Sequence, residues 1–311
     1  MILNRNIILI ALMTLFGWSL QLVNIKYATN LNANPFIFTT ACILLASMVL
    51  IIVGGNIKLF KASIKTPQTW YYSISHILLN ISVMFMVGYV SSTQAMILQK
   101  FNIITGFLIG YLLLDKRRLS KTDFIGCFIV ILGIALTLYS LDRNIILNVI
   151  FILLIMTTLS TLRTNSVERH KLMKMSKNFK QQCQIIGVVL LFSCLLTIIF
   201  MFSLNFLGLV KLSTDIYLTP QHMKIVLING GILIPLSMFG FFKLAREINS
   251  ENFAIISSFL PLFTLITEYT ASKFGMVEMS MFTYIHWISL TMIIIGALFI
   301  TCFRVYNKKL G

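Results

Sequence analysis

The chain has 311 residues, 58% of them hydrophobic and 11% charged, with a mean hydropathy of +0.92. A soluble domain carries roughly a quarter charged residues, so water is excluded as the solvent for most of this surface. The formal charge of +16 would suit nucleic acid, but the basic residues fall between apolar runs and mostly in alternate loops, a membrane-protein pattern that argues against a nucleic-acid partner.

The first apolar run, 7-25, follows Arg5 as the core of a signal peptide would, yet no small-residue cleavage site interrupts it, and it reads as a retained helix. Further runs lie at 35-53, 71-90, 93-114, 124-141, 145-162, 184-210, 225-242, 252-272 and 279-303. Each approaches the ~20 residues that cross a ~30 Å hydrocarbon core. Only helices and closed barrels satisfy the backbone in lipid, and these runs lack the short alternation of a barrel. The expected fold is therefore all-α, an integral membrane protein of ten transmembrane helices.

Orientation follows from the placement of Lys and Arg. With the N-terminus in the cytoplasm, nineteen fall on the inside and five (Lys26, Arg143, Lys211, Lys224, Lys273) on the outside, with Lys100 inside a span. Both termini are therefore expected on the cytoplasmic side of a bacterial inner membrane. The basic stretch 163-182 is expected as a cytoplasmic loop near anionic headgroups, joining the first two helices of the second half. Cys42, Cys127, Cys183, Cys194 and Cys302 are scattered with no CxxC pair, and so indicate neither a disulfide framework nor a zinc site.

A repeat is visible within the chain. The fourth and fifth spans match the last two: Asp115 to Gly133 and Glu278 to Gly296 are each 18 residues apart, and a shift of 163 relates the pairs. Five spans per copy is an odd number, so the copies have opposite topology, as in secondary carriers whose substrate site lies where the halves meet. The expected units are 1-142 and 143-311. Asp115, Glu278, Gly133 and Gly296 mark the repeat, and Pro261 marks its ninth span; all five are candidate gating or structural positions.

Here the sequence resembles the ten-helix EamA type of the drug/metabolite transporter superfamily, over essentially the whole chain. Trp18, Ser19, Gln21 and Lys26 stand where members have an aromatic-small-polar opening followed by a lysine, and Pro35 opens the second span as it does in the family. Asn102 and Asp115, followed by Gly126 and Gly133, occupy the helix that usually carries a central proline and a terminal Glu; Pro261 is retained in the second copy. Cys42 stands where many members have an arginine. The resemblance implies a carrier of amino acids, drugs or a nucleoside-like solute such as S-adenosylmethionine.

Within the spans only Lys100 and Glu268 are charged, and a charge in hydrocarbon is costly unless it is paired or hydrated. Lys100 lies about 12 Å and Glu268 about 6 Å in from the outer end at 1.5 Å per residue, so a lysine stem bridges the gap if their helices are neighbours. The expectation is a gated pair that substrate or a proton opens. The competing readings are a headgroup-level carboxylate for Glu268 and a structural or snorkelling role for Lys100.

Gln99 and Asn102 fall within a turn of Lys100, and Asn80 adds polarity in the third span; Gln99, Lys100, Asn102, Glu268, Trp18, Gln21 and Asn80 are the candidate substrate-binding residues. His76 and His286 lack partners at metal-ligand spacing and read as packing.

The function expected is secondary active transport of a small metabolite by alternating access, with no cofactor beyond a coupling proton or ion. The partners are the solute and the bilayer, with a homodimer left open. A non-transporting scaffold or assembly factor is the alternative, supported by the basic stretch. An intramembrane enzyme would need a catalytic cluster, and the sequence has no HExxH, GxSxG, paired aspartates or phosphate loop.

Overall fold

The computed structural model describes residues 5–55, 58–113, 120–206, 218–278 and 283–310. Among these the elements are helices only, in the order α1 (Arg5–Asn30), α2 (Pro35–Gly54), α3 (Phe60–Ile64), α4 (Pro67–Tyr89), α5 (Ser92–Gln99), α6 (Asn102–Leu113), α7 (Lys121–Tyr139), α8 (Arg143–Glu168), α9 (Lys171–Met175), α10 (Phe179–Phe206), α11 (Pro220–Ile228), α12 (Ile234–Ile256), α13 (Leu260–Lys273) and α14 (Tyr284–Leu310). Eight of the described helical stretches are long and apolar enough to cross a membrane, and Tyr284–Ile300 is a shorter apolar helix.

Local sequence signals set the helix starts. Asn34 accepts the Phe36 and Ile37 amides ahead of Pro35, and Gly55 closes α2 at φ 81°. Reciprocal capping boxes open α5 (Ser91 with Gln94), α7 (Ser120 with Asp123) and α11 (Thr219 with His222).

Three irregularities matter for the site. The expected span 93-114 is divided: Lys100 N–H donates to the Ile97 carbonyl and Ile103 N–H to the Lys100 carbonyl, so a tight three-residue turn separates α5 from α6. A π turn, Asn229–Leu233, precedes Pro235, with the Ile234 amide reaching back to the Asn229 carbonyl. A 3₁₀ turn, Ser257–Phe259, precedes Pro261. Proline has no N–H to give the carbonyl four residues back, so the Leu260 amide takes the Ser257 carbonyl instead.

The stretch 163-182 is not the loop the sequence suggested. Its first six residues complete α8, α9 occupies Lys171–Met175, and α10 begins at Phe179. The helix runs past its first basic residue because Arg163 packs inside the bundle rather than in water. Asp115 lies outside the described residues.

The principal pairings are α7 with α14, α2 with α10, α4 with α8, and α1 with both α12 and α13. Glycines set two of these contacts. A Cβ at Gly126 would lie 2.8 Å from the Gly296 carbonyl oxygen, one at Gly296 would lie 2.7 Å from that of Gly126, and one at Gly133 would lie 2.9 Å from that of Ser289. Such close approach of backbones is how membrane helices gain contact without a hydrophobic driving force. The second contact joins α2 to α10, where the Ser47 hydroxyl donates to the Gly187 carbonyl at 2.8 Å and the Gln184 amide to the Gly54 carbonyl at 2.7 Å.

Candidate functional site

A cavity of about 1070 Å³, including its open mouth, lies between α1, α4, α5, α6, α8, α12 and the 3₁₀ turn. Trp18, Gln21, Asn80, Gln99, Lys100 and Asn102 all line it, together with Ser160, Thr161, Arg163, Thr164, Asn165 and Ser257. Its remaining wall is apolar, with Leu22, Ile25, Leu79, Val83, Ile103, Phe107 and Phe253 among the lining residues.

The helix breaks assemble this wall. The turn after α5 carries Lys100, and the 3₁₀ turn brings Ser257 opposite it. The Lys100 ammonium donates to Ser257 Oγ at 3.4 Å, and the residue is 1% exposed. Next to it, the Asn102 amide donates to Ser160 Oγ at 3.5 Å, while Asn102 Oδ1 is buried without a hydrogen-bond partner. The Gln21 amide donates to the Leu233 carbonyl at 2.9 Å and contacts the Ser237 hydroxyl, tying α1 to the carbonyls around Pro235. Asn80 bonds to the His76 ring and backbone, and that ring stacks on Tyr72.

Arg163 is the residue that sequence reasoning missed. It is 7% exposed, its guanidinium carbon sits 5.5 Å from the Trp18 ring centre and 4.8 Å from that of Phe241, and its Nε is buried without an acceptor. A signal was present in the sequence: Thr157, Ser160, Thr161 and Thr164 recur at helical spacing, a polar face that carries the helix past the first basic residue.

Glu268 does not join this group. Its carboxylate accepts the backbone amides of Ser92 at 3.2 Å and Thr93 at 3.0 Å and the Thr93 hydroxyl, at the N-terminus of α5. Lys100 is at the other end of that helix, so the expected Lys100–Glu268 pair is not formed. The capping site satisfies the carboxylate with three donors and leaves it no need of the lysine. Pro261 follows the 3₁₀ turn, Gly133 and Gly296 lie at the α7–α14 crossing, and Glu278 is exposed at a shallow depression beside Asn30 and Lys273. Among the described residues no group of three His, Cys, Asp or Glu is placed to hold a metal ion.

The arrangement can bind a small solute between helices of both halves of the chain. A solved structure described as "Crystal structure of protein" has a similar fold, with a TM-score of 0.60 at 13% identity over 94% of this chain and 98% of its own. No curated protein matches the chain. The family model of the EamA-like transporter family matches residues 5–139. Over residues 5–139 the chain is thus similar to the EamA-like transporter family of the drug/metabolite transporter superfamily, and with its eight long apolar helices it is a multi-pass integral membrane protein.

Proposed function

We propose that the protein is a secondary transporter that carries a small metabolite across a bacterial inner membrane by alternating access. The observation that carries this reading is the cavity itself: polar side chains of α1, α4, α5 and α6 face those of α8 and the 3₁₀ turn inside a bundle whose outer surface is apolar. Two inverted five-helix halves, 1-142 and 143-311, give ten spans if α5 with α6, α11 with α12, and α14 each count as one. Matching the halves in order makes α1 equivalent to α8, α2 to α10, α4 to α11 with α12, α5 with α6 to α13, and α7 to α14. Exchanging the halves then turns the α4–α8 contact into α12–α1 and returns α2–α10, α5–α13 and α7–α14 to themselves, and all of these pairings occur. An inverted repeat would give this set of pairings, and their occurrence supports that reading.

The nineteen-to-five distribution of basic residues supports cytoplasmic termini. In that orientation the capped end of α5 lies outward and Arg163 lies toward the cytoplasm.

A ligand found by thermal shift against a metabolite library tests the reading when it is loaded into proteoliposomes. Saturable counterflow, in which internal unlabelled ligand accelerates uptake of the labelled form, is the expected result. Binding with no flux under any gradient would overturn transport and leave a scaffold.

A further inference from the structure

Among the described residues the cavity is lined by two basic side chains, Lys100 and Arg163, and by no acidic one. Neither basic group has an ion-pair partner among the described residues: Lys100 has one long hydrogen bond to a hydroxyl, and Arg163 has two aromatic faces and an Nε without an acceptor. A buried charge is normally paired and hydrogen-bonded, because removing it from water is expensive. An aromatic face offsets only part of that cost. Snorkelling does not relieve Lys100, whose ammonium ends at Ser257 inside the bundle rather than at an interface. With Glu268 engaged at the far end of α5, no carboxylate among the described residues remains in the cavity to receive the amine of an amphoteric solute.

We infer that the solute is an anion, a metabolite whose carboxylate or phosphate head sits against Lys100 and Arg163 while an apolar or aromatic body packs on Leu22, Ile103, Phe107 and Phe253. The inference rests on reading this cavity as the transport site. The guanidinium fork suits either head group, since both present paired oxygens in its plane, and the lysine adds a point charge.

The test uses the full-length protein with Trp70→Phe and Trp287→Phe, which leaves Trp18, on the cavity wall under Arg163, as the fluorescent reporter. Four probes share a phenyl body and differ in charge: phenylacetate, phenylphosphate, phenethylamine and phenylalanine. The expected result is that one or both anions change Trp18 emission and raise the melting temperature, while the cation and the zwitterion do neither. Which anion binds more tightly identifies the head group. Lys100→Met and Arg163→Met are each expected to weaken anion binding tenfold or more without lowering the melting temperature of the empty protein, since each removes an unpaired buried charge. A purely structural role would instead lower that temperature.

An equal or larger response to phenethylamine or phenylalanine overturns the inference, and so does the absence of any anion response at millimolar concentration. The wild-type cavity carries this comparison even if a variant fails to fold. Anion binding without counterflow in proteoliposomes would refute transport while supporting the anion site; counterflow of phenethylamine would do the reverse.

Discussion

Glu268 of α13 holds Thr93 of α5 at two points, accepting its backbone amide at 3.0 Å and its hydroxyl, across 175 residues of sequence. With the Ser92 amide also bound, the carboxylate neutralises the positive end of α5. Glu268→Gln replaces an acceptor-only group with one that turns donors toward donors. It is expected to lower stability by about 1.5–3 kcal/mol, the usual loss for hydrogen bonds to a charged group. Thermal unfolding in detergent measures this, and an unchanged melting temperature would remove Glu268 from the capping role.

The crossing of α7 and α14 gives a steric prediction. Gly126→Val places a branched side chain where even a Cβ would lie 2.8 Å from the Gly296 carbonyl oxygen, and backbone cannot swing aside as a side chain can. The expected loss is about 1–3 kcal/mol. Gly106→Ala is the control, because its Cβ meets nothing within 4 Å. Equal melting temperatures for the two variants would mean the crossing tolerates separation.

The topology proposed above is checked by labelling single cysteines with a membrane-impermeant maleimide, after the five native cysteines are replaced. Lys177→Cys and Lys273→Cys are both at exposed positions. In intact cells the second should label and the first should not. Labelling of residue 177 alone would invert the orientation.

The apolar runs made the helices legible in the sequence, whereas the caps that fix four of their starts, Asn34, Ser91, Ser120 and Thr219, emerged only with the structure. Lys100 stood out because an isolated charge in an apolar run has few inexpensive explanations. Arg163 did not, because it opens a cluster of basic residues that reads as solvated loop, and hydropathy stops at the first charge. The polar face Thr157, Ser160, Thr161 and Thr164 was the one local sign of a continuing helix, and the stacking on Trp18 and Phe241 that sets it apart from Arg169 and Lys171 is tertiary. Glu268 was recognised as unusual, but its partner was misread for a related reason. Opposite charges were matched with each other, whereas the carboxylate binds backbone amides, which the sequence does not display as charge. The turn at Lys100 left no trace in composition, since neither proline nor glycine marks it.

That correction yields a pair of double-mutant cycles with opposite expectations. Lys100 and Glu268 occupy opposite ends of an eight-residue helix, about 12 Å apart along its axis, so Lys100→Met and Glu268→Gln should add within about 0.5 kcal/mol. Lys26 makes the contrasting partner. Its ammonium donates to the Val87 carbonyl at 2.6 Å and the Val90 carbonyl at 3.4 Å, where α4 ends, and it interacts electrostatically with Glu268. A cation on the carbonyl end of α4 and an anion on the amide end of α5 thus hold the two sides of the same short turn, each matched to its helix dipole. Removing either releases the turn, after which the other has less to hold. Lys26→Met and Glu268→Gln should therefore couple by about 0.5–3 kcal/mol, the range for residues acting on one network. Thermal unfolding of the two single variants and the double variant measures that coupling. Additivity of Lys26 with Glu268 would mean that the two charges stabilise their helices separately and that no shared clamp exists at this end of the bundle.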